Sequence, residues 1–318
     1  MDVHYHINIV VHLHQYGDAP AAPEKEGATG AVMLSDYLRR QLQLVADSRS
    51  LSTRRNYMTA VRSLQAYLEH DVPLSEVTAE LLQGYERWLR EHGVCLNTIS
   101  CYMRSLRSLL HDSPDNAGQA FSHVFTGHTR TDKRSIPVDA INRLRKLQLP
   151  SDNFISLARD VFLFSFYAMG MPFVDVAHLL RSQVGPLNIV YRRQKTGHRV
   201  TIGLMPQLTE IMRRYRDSDS PYVFPLLHAG TEREYHVALG RYNRALHRLQ
   251  RLAKIESPLT SYVVRHSWAS AAYASNVDLP VIAQALGHAN TKVTMTYIRE
   301  INDDRVAKAN ETVANQLG

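Results

Sequence analysis

From residue 33 onward one stretch alone, LNIVYRRQKTGHRVTIGL at 187–204, alternates apolar and polar residues in the manner of β-strands. The turn Thr196-Gly197-His198 at its middle makes it an antiparallel hairpin. A chain of 318 residues with a single hairpin must build its cores from helices. The predicted class is mainly α with a small antiparallel sheet.

Apolar residues elsewhere recur at three- and four-residue spacing. Four helices are predicted over 33–112, forming a compact bundle. The first covers 34–46, and the second follows the caps Ser50 and Ser52 through TRRNYMTAVRSLQAYLEH. Pro73 breaks the chain before the third, TAELLQGYERWLREHG, which Gly93 stops. The fourth, NTISCYMRSLRSLLHD, takes Asn97 as its N-cap. Residues 113–137 hold breakers and no sustained period, so they read as a linker ending in Arg130, Lys133 and Arg134.

A second domain is predicted over 138–318. Its helices fall at VDAINRLRKLQL, 152–168, 207–217, 234–254, 260–275, 278–286 and 290–299, with a last one from about 303. Residues 1–32 stand apart, because HYHINIVVHLHQYG is followed by the linker-like DAPAAPEKEGATGA. His4, His6, His12 and His14 could chelate a metal, yet no Cys or carboxylate completes a site. The segment is expected to be a disordered tail, or an extension upstream of a start at Met33, and no metal is expected.

The net charge of +7 and a pI near 9.4 point to a polyanionic partner. Lys plus Arg against Asp plus Glu is 12 to 11 over 33–133, 19 to 9 over 134–255 and 5 to 6 over 256–318, so one segment holds the excess. Within the balanced bundle the signs are sorted. Arg49, Arg54, Arg55 and Arg62 occupy 48–68 without an acid, and Arg104 and Arg107 occupy 92–111 likewise. The intervening 69–91 carries Glu69, Asp71, Glu76, Glu80, Glu86 and Glu91. Two basic helices around an acidic one describe a face for phosphates and a back without them. No apolar run reaches the roughly 20 residues of a membrane span, and no basic-then-apolar leader opens the chain, so a cytoplasmic location is expected. Cys95 and Cys101 lie in one predicted helix and are expected to be reduced thiols.

Four phrases in the second domain form an ordered set: GMPFVD (170–175), YRRQKTG (191–197), TSYVVRHSWAS (260–270) and LGHANTKVTMTYIRE (286–300). Together they resemble the tyrosine recombinases, the phage integrase family, and among its subgroups the short integrases and invertases of Bacteroidetes mobile elements. The resemblance covers the whole catalytic domain, and the 33–112 bundle is similar to the family's SAM-like core-binding domain. It implies that Tyr297 is a nucleophile, that Arg265 clamps the scissile phosphate, that His288 is the second histidine and that Lys195 is the hairpin lysine. It also implies double-stranded DNA as partner, a homotetramer on synapsed sites that is monomeric or weakly associated when free, and no cofactor.

The chemistry accords with those residue types. Rejoining DNA without hydrolysis needs a nucleophile that stores the phosphodiester energy in a covalent bond. A phenol can do this, although its ordinary pKa near 10 makes it weak until it is positioned. Guanidinium forks stabilise the extra charge on the phosphorane oxygens, and a Lys or His can protonate the departing 5′-oxygen. Two positions depart from the family pattern. The first catalytic arginine of G-x-R-x-x-E is replaced by Pro172, although Asp175 keeps the acidic place, and the histidine three before the clamp arginine is Tyr262. Tyr262 is expected to donate a hydrogen bond to the phosphate. Arg193, two before Lys195 and expected on the same strand face, is the predicted substitute for the missing arginine.

For DNA contact the predicted residues are Arg54, Arg55, Arg62, Arg104 and Arg107 on the two basic helices, with Lys133 and Arg134 in the linker. The alternatives are an accessory or decayed recombinase that binds without cutting, which Pro172 and Tyr262 favour, and a type IB topoisomerase of shared chemistry. A last helix from 303, with Val306, Ala309, Val313 and Leu317 along one side, is expected to pack on a neighbouring protomer.

Overall fold

The computed structural model describes residues 31–46, 48–115, 117–129, 135–151, 153–216, 219–288, 291–297, 311 and 315. The chain divides after Thr129 into two compact units, each with its own core. His4, His6, His12, His14, Lys133, Arg134 and the helix expected from 303, with Val306, Ala309, Val313 and Leu317, lie outside the described residues.

The first unit is a bundle of α1 (Leu34–Leu44), α2 (Leu51–Leu68), α3 (Ala79–Glu91) and α4 (Leu96–Leu109). On α2, Tyr57, Ala60, Val61 and Leu64 form a buried stripe at helical spacing, and this helix packs on α4, whose buried face includes Ile99, Met103 and Leu106. Tyr57 Oη and Ser108 Oγ share a 3.0 Å hydrogen bond across that seam. Side-chain caps start two of the helices: Ser50 Oγ accepts from Thr53 N and Thr78 Oγ1 from Leu81 N, both at 3.3 Å. Gly93 ends α3 at φ +71°, where a left-handed turn lets Val94 N donate to Leu89 O at 3.0 Å.

Two sequence expectations need correction in this unit. Asn97 does not cap α4, since Cys95 occupies the N-cap position. Its amide instead donates to Thr129 O and accepts from Thr129 N, both at 2.9 Å, and so fastens the end of the unit. The 113–137 stretch is not linker throughout. Residues 117–123 form a 3-10 helix, and Ala117, Phe121 and Val124 join the bundle core. Their spacing of four and three was a helical signal among breakers, and burying a side chain such as Phe121 contributes about 1.5–3 kcal/mol.

The second unit contains α5 (Val138–Lys146), α6 (Phe154–Tyr167), α7 (Phe173–Ala177), β1 (Asn188–Arg192), β2 (Arg199–Gly203), α8 (Pro206–Arg213), α9 (Glu232–Leu252), α10 (Val263–Ala274), α11 (Leu279–Leu286) and α12 (Thr291–Met295). α6 is mostly buried, with Ala158, Val161, Phe162 and Phe164 fully so, and it serves as the central post for α8, α9 and α10. β1 and β2 pair antiparallel with Tyr191 opposite Val200, which bears out the mainly α class with a small antiparallel sheet. α10 begins three residues later than the predicted 260, which leaves Tyr262 at its N-cap. Ala269, Ile282, Leu286 and Tyr297 make a small separate cluster beside the main core. No described helix is long and apolar enough to cross a membrane.

Candidate active site

The site gathers where α6, the hairpin turn, α10 and α11 bring their ends together. Arg265, on the first turn of α10, is 4 % exposed. Its Nη1 donates to Gly170 O at 3.1 Å, and Nη2 donates to Leu286 O and lies 3.1 Å from His288 Nε2. Gly170 follows α6 at φ +68°, and a Cβ there would lie 3.0 Å from Arg265 Cα. The G of GMPFVD is therefore required both by backbone conformation and by the approach of the arginine.

Leu286 closes α11, so its carbonyl belongs to the helix end that lacks intrahelical partners and carries the negative pole. Two guanidiniums take it: Arg265 through Nη2 and Arg193 through Nη1. Gly287 then turns the chain at φ +63°, and a Cβ on it would meet Arg193 Cδ at 3.2 Å. His288 follows directly, with Nδ1 2.9 Å from Thr294 Oγ1 on α12. The arrangement suits a neutral imidazole that donates from Nδ1 and accepts at Nε2. Burial, and then the Arg265 and Arg193 charges, hold its pKa down at about 4.

Pro172 heads α7, and Asp175 on that helix is 3 % exposed. Its Oδ2 accepts from Arg193 Nε at 3.3 Å and its Oδ1 from Gln194 N at 2.9 Å. Burial pushes this carboxyl up from its ordinary value, while the Gln194 amide and the Arg193 charge pull it down. Asp175 thus pins the start of the hairpin turn. The contacts to Asp175 and Leu286 use Nε and Nη1 of Arg193, and Nη2 makes no hydrogen bond to the described residues.

The expected shared strand face for Arg193 and Lys195 is not observed. β1 ends at Arg192, and from Arg193 the backbone folds into a turn in which Arg193 N donates to His198 O and Gly197 N to Arg193 O, both at 2.8 Å. Side chains cease to alternate once the strand ends. Arg193 is buried beside Arg265, while Lys195 is exposed at the tip and makes no recorded hydrogen bond or ion pair to the other described site residues.

Tyr297 follows α12 and is 9 % exposed. Its ring stacks on His266 at 4.5 Å between centroids, lies 5.0 Å from His288 and has Arg265 Cζ 5.6 Å from its centroid. Its Oη is 2.5 Å from Tyr262 Oη. The structure therefore brings together five of the six predicted catalytic residues: Tyr297, Arg265, His288, Tyr262 and Arg193. Thr294 and the Leu286 carbonyl were missed, because one is an ordinary helix threonine and the other a main-chain atom. Among the predicted DNA contacts, Arg55 and Arg62 on α2 and Arg104 and Arg107 on α4 are exposed, and Arg54 is half-buried.

Comparison with known proteins agrees with this arrangement. The model described as "Phage integrase family" matches residues 165–303, and the phage integrase SAM-like domain matches 33–115. Tyrosine recombinase XerD of Listeria innocua is 23% identical over 284 residues, spanning 83% of this chain and 93% of that protein. XerD of Halalkalibacterium halodurans is 24% identical over 256 residues, spanning 74% and 84%. A lambda integrase dimer bound to a COC' core site superposes with TM-score 0.65 at 13% identity, covering 85% of this chain and 98% of that one. Tn1549 transposon integrase in complex with transposon right end DNA gives 0.64 at 12% identity, covering 89% and 100%. The chain belongs to the phage integrase family, the tyrosine recombinases.

Proposed function

We propose that the protein is a site-specific DNA recombinase acting on double-stranded DNA inside the cell. The observation that carries the proposal is the convergence of the Tyr297 phenol with two buried guanidiniums and a neutral imidazole. Tyr297 Oη attacks the scissile phosphorus, its proton leaves, and the bond to the 5′-oxygen breaks. The products are a 3′-phosphotyrosine and a free 5′-hydroxyl, and the reverse attack by another strand's hydroxyl reseals the backbone. No energy source is needed, because the phosphodiester bond is conserved.

Arg265 and Arg193 stabilise the non-bridging oxygens, with Arg193 standing in for the arginine that Pro172 displaces. His288 Nε2 accepts from Arg265 Nη2 and so orients that guanidinium at the same phosphate. Lys195, on an exposed turn, is assigned the protonation of the leaving oxygen, a role it can take only once DNA lies against the hairpin. The exposed arginines of α2 and α4, with Arg54, Lys133 and Arg134, supply backbone contacts. Strand exchange proceeds in a homotetramer, as in the solved lambda integrase tetramer bound to a Holliday junction.

The test needs no known target. The chain is incubated with fragmented DNA from its own genome and denatured, and the DNA covalently retained on protein is sequenced. Wild type is expected to retain a narrow set of sites and Tyr297→Phe none. An adduct surviving in Tyr297→Phe overturns the nucleophile assignment. A wild type that binds but never retains DNA would reduce the protein to a site-recognising partner.

A further inference from the structure

The residue at the place of the family's histidine does more in this fold than face a phosphate. Tyr262 sits at the N-cap of α10, one helical turn from Arg265, and is 49 % exposed, whereas Tyr297 beneath it is 9 % exposed. Their hydroxyls are 2.5 Å apart, at the short end for O–H···O bonds. His266 completes the packing, edge-on to Tyr262 at 5.1 Å and stacked on Tyr297 at 4.5 Å. The only hydroxyl bonded to the nucleophile among the described residues is thus a second phenol.

We propose that Tyr262 is a positioning residue that acts through Tyr297, holding the nucleophile's oxygen in place and stabilising its phenolate by donating a hydrogen bond to it. This rests on the recombinase reading and assigns the activation step within it. Two phenols sharing one hydrogen bond titrate as a pair. The first proton to leave converts an ordinary hydrogen bond into a charge-assisted one, roughly twice as strong, so the first ionisation becomes easier and the second harder. The environment decides which oxygen ionises first. Among the described residues the charged and titratable groups facing the pair are Arg265 and His266 from α10, Arg193 from the hairpin turn and His288 from the segment after α11. Burial and the bond to Tyr297 push the Tyr262 phenol up from its ordinary value, so Tyr262 keeps its proton and serves as the donor.

The balance of the step follows. Tyr297 loses its proton to solvent, its oxygen forms the bond to phosphorus, and the 5′-oxygen leaves and is protonated by the general acid. Tyr262 remains a neutral phenol throughout. When Tyr297 Oη becomes an ester oxygen it is a weaker acceptor, which frees the Tyr262 hydroxyl to donate to a non-bridging oxygen.

The experiment uses the full chain labelled with tyrosine carrying 13C at Cζ, with the Tyr297 signal assigned by its loss in Tyr297→Phe. In Tyr262→Phe the Tyr297 titration midpoint is expected to rise by about one pH unit or more, the equivalent of losing a hydrogen bond to a charged group. Tyr262→His, which restores a donor, is expected to recover most of the shift. Adduct formation on a captured site is then followed against pH under single-turnover conditions. Tyr262→Phe should be roughly tenfold slower near pH 7, with the gap closing as pH rises through the Tyr297 midpoint. A purely structural role lowers the rate by the same factor at every pH, and thermal melting identifies a variant that fails to fold. An unmoved midpoint in a folded Tyr262→Phe overturns the proposal. Failure of wild type to form any adduct overturns the recombinase reading instead, while the titration still decides the pairing of the two phenols.

Discussion

At the scale of single residues, Arg193 bears the most chemistry per atom. It pairs with Asp175 and shares the Leu286 carbonyl with Arg265. Arg193→Ala is expected to cut covalent adduct formation by about 100- to 1,000-fold while changing DNA affinity only a few-fold, as with removal of one preorganised donor. Adduct yield and a gel shift, measured on the same substrate, separate the two effects, and near-normal cleavage would remove Arg193 from the phosphate clamp. Stability should also fall, because Asp175 is left as a buried carboxylate with one partner fewer. Arg193→Lys retains the charge but not the fork, so it should recover stability better than cleavage.

At the scale of elements, the site depends on where helices stop. Gly287 and Gly93 both end helices at positive φ, +63° and +71°, and both are replaceable by Ala only with left-handed strain of about 1–2 kcal/mol. Their surroundings differ. A Cβ at Gly93 meets nothing within 4 Å, whereas one at Gly287 meets Arg193 Cδ at 3.2 Å. Gly93→Ala should therefore lower the melting temperature and leave adduct formation per folded molecule unchanged. Gly287→Ala should lower both, since the arginine must move or the turn must open. Equal cleavage by the two folded variants would show that the α11 turn does not position Arg193.

At the scale of the whole molecule, the positive charge is distributed so that affinity is electrostatic before it is specific. The excess of basic residues sits in 134–255, and the first unit adds exposed arginines on α2 and α4. Binding to non-cognate duplex should weaken linearly in log–log plots against salt, each phosphate contact contributing a slope of about −0.9. Arg55→Ala, Arg62→Ala and Arg104→Ala should each make the slope shallower by about one. A slope unchanged in all three would place the DNA on a different face of the bundle.

Much of this was legible in the sequence. The helical periodicity and the single hairpin determined the fold class, and the ordered phrases pointed to the five residues that the structure brings together, because periodicity and motif order are local properties of a chain. The sequence also marked Pro172 as the missing fork. What only the tertiary structure decided is how side chains distant in the chain share atoms: that Arg193 and Arg265 meet on the Leu286 carbonyl while Lys195 is left exposed on the turn, and that the Tyr262 hydroxyl is bonded to Tyr297. Those outcomes depend on where a strand ends and a helix begins to within one residue. A shift of one residue turns a side chain to the opposite face of a strand, or by about 100° around a helix.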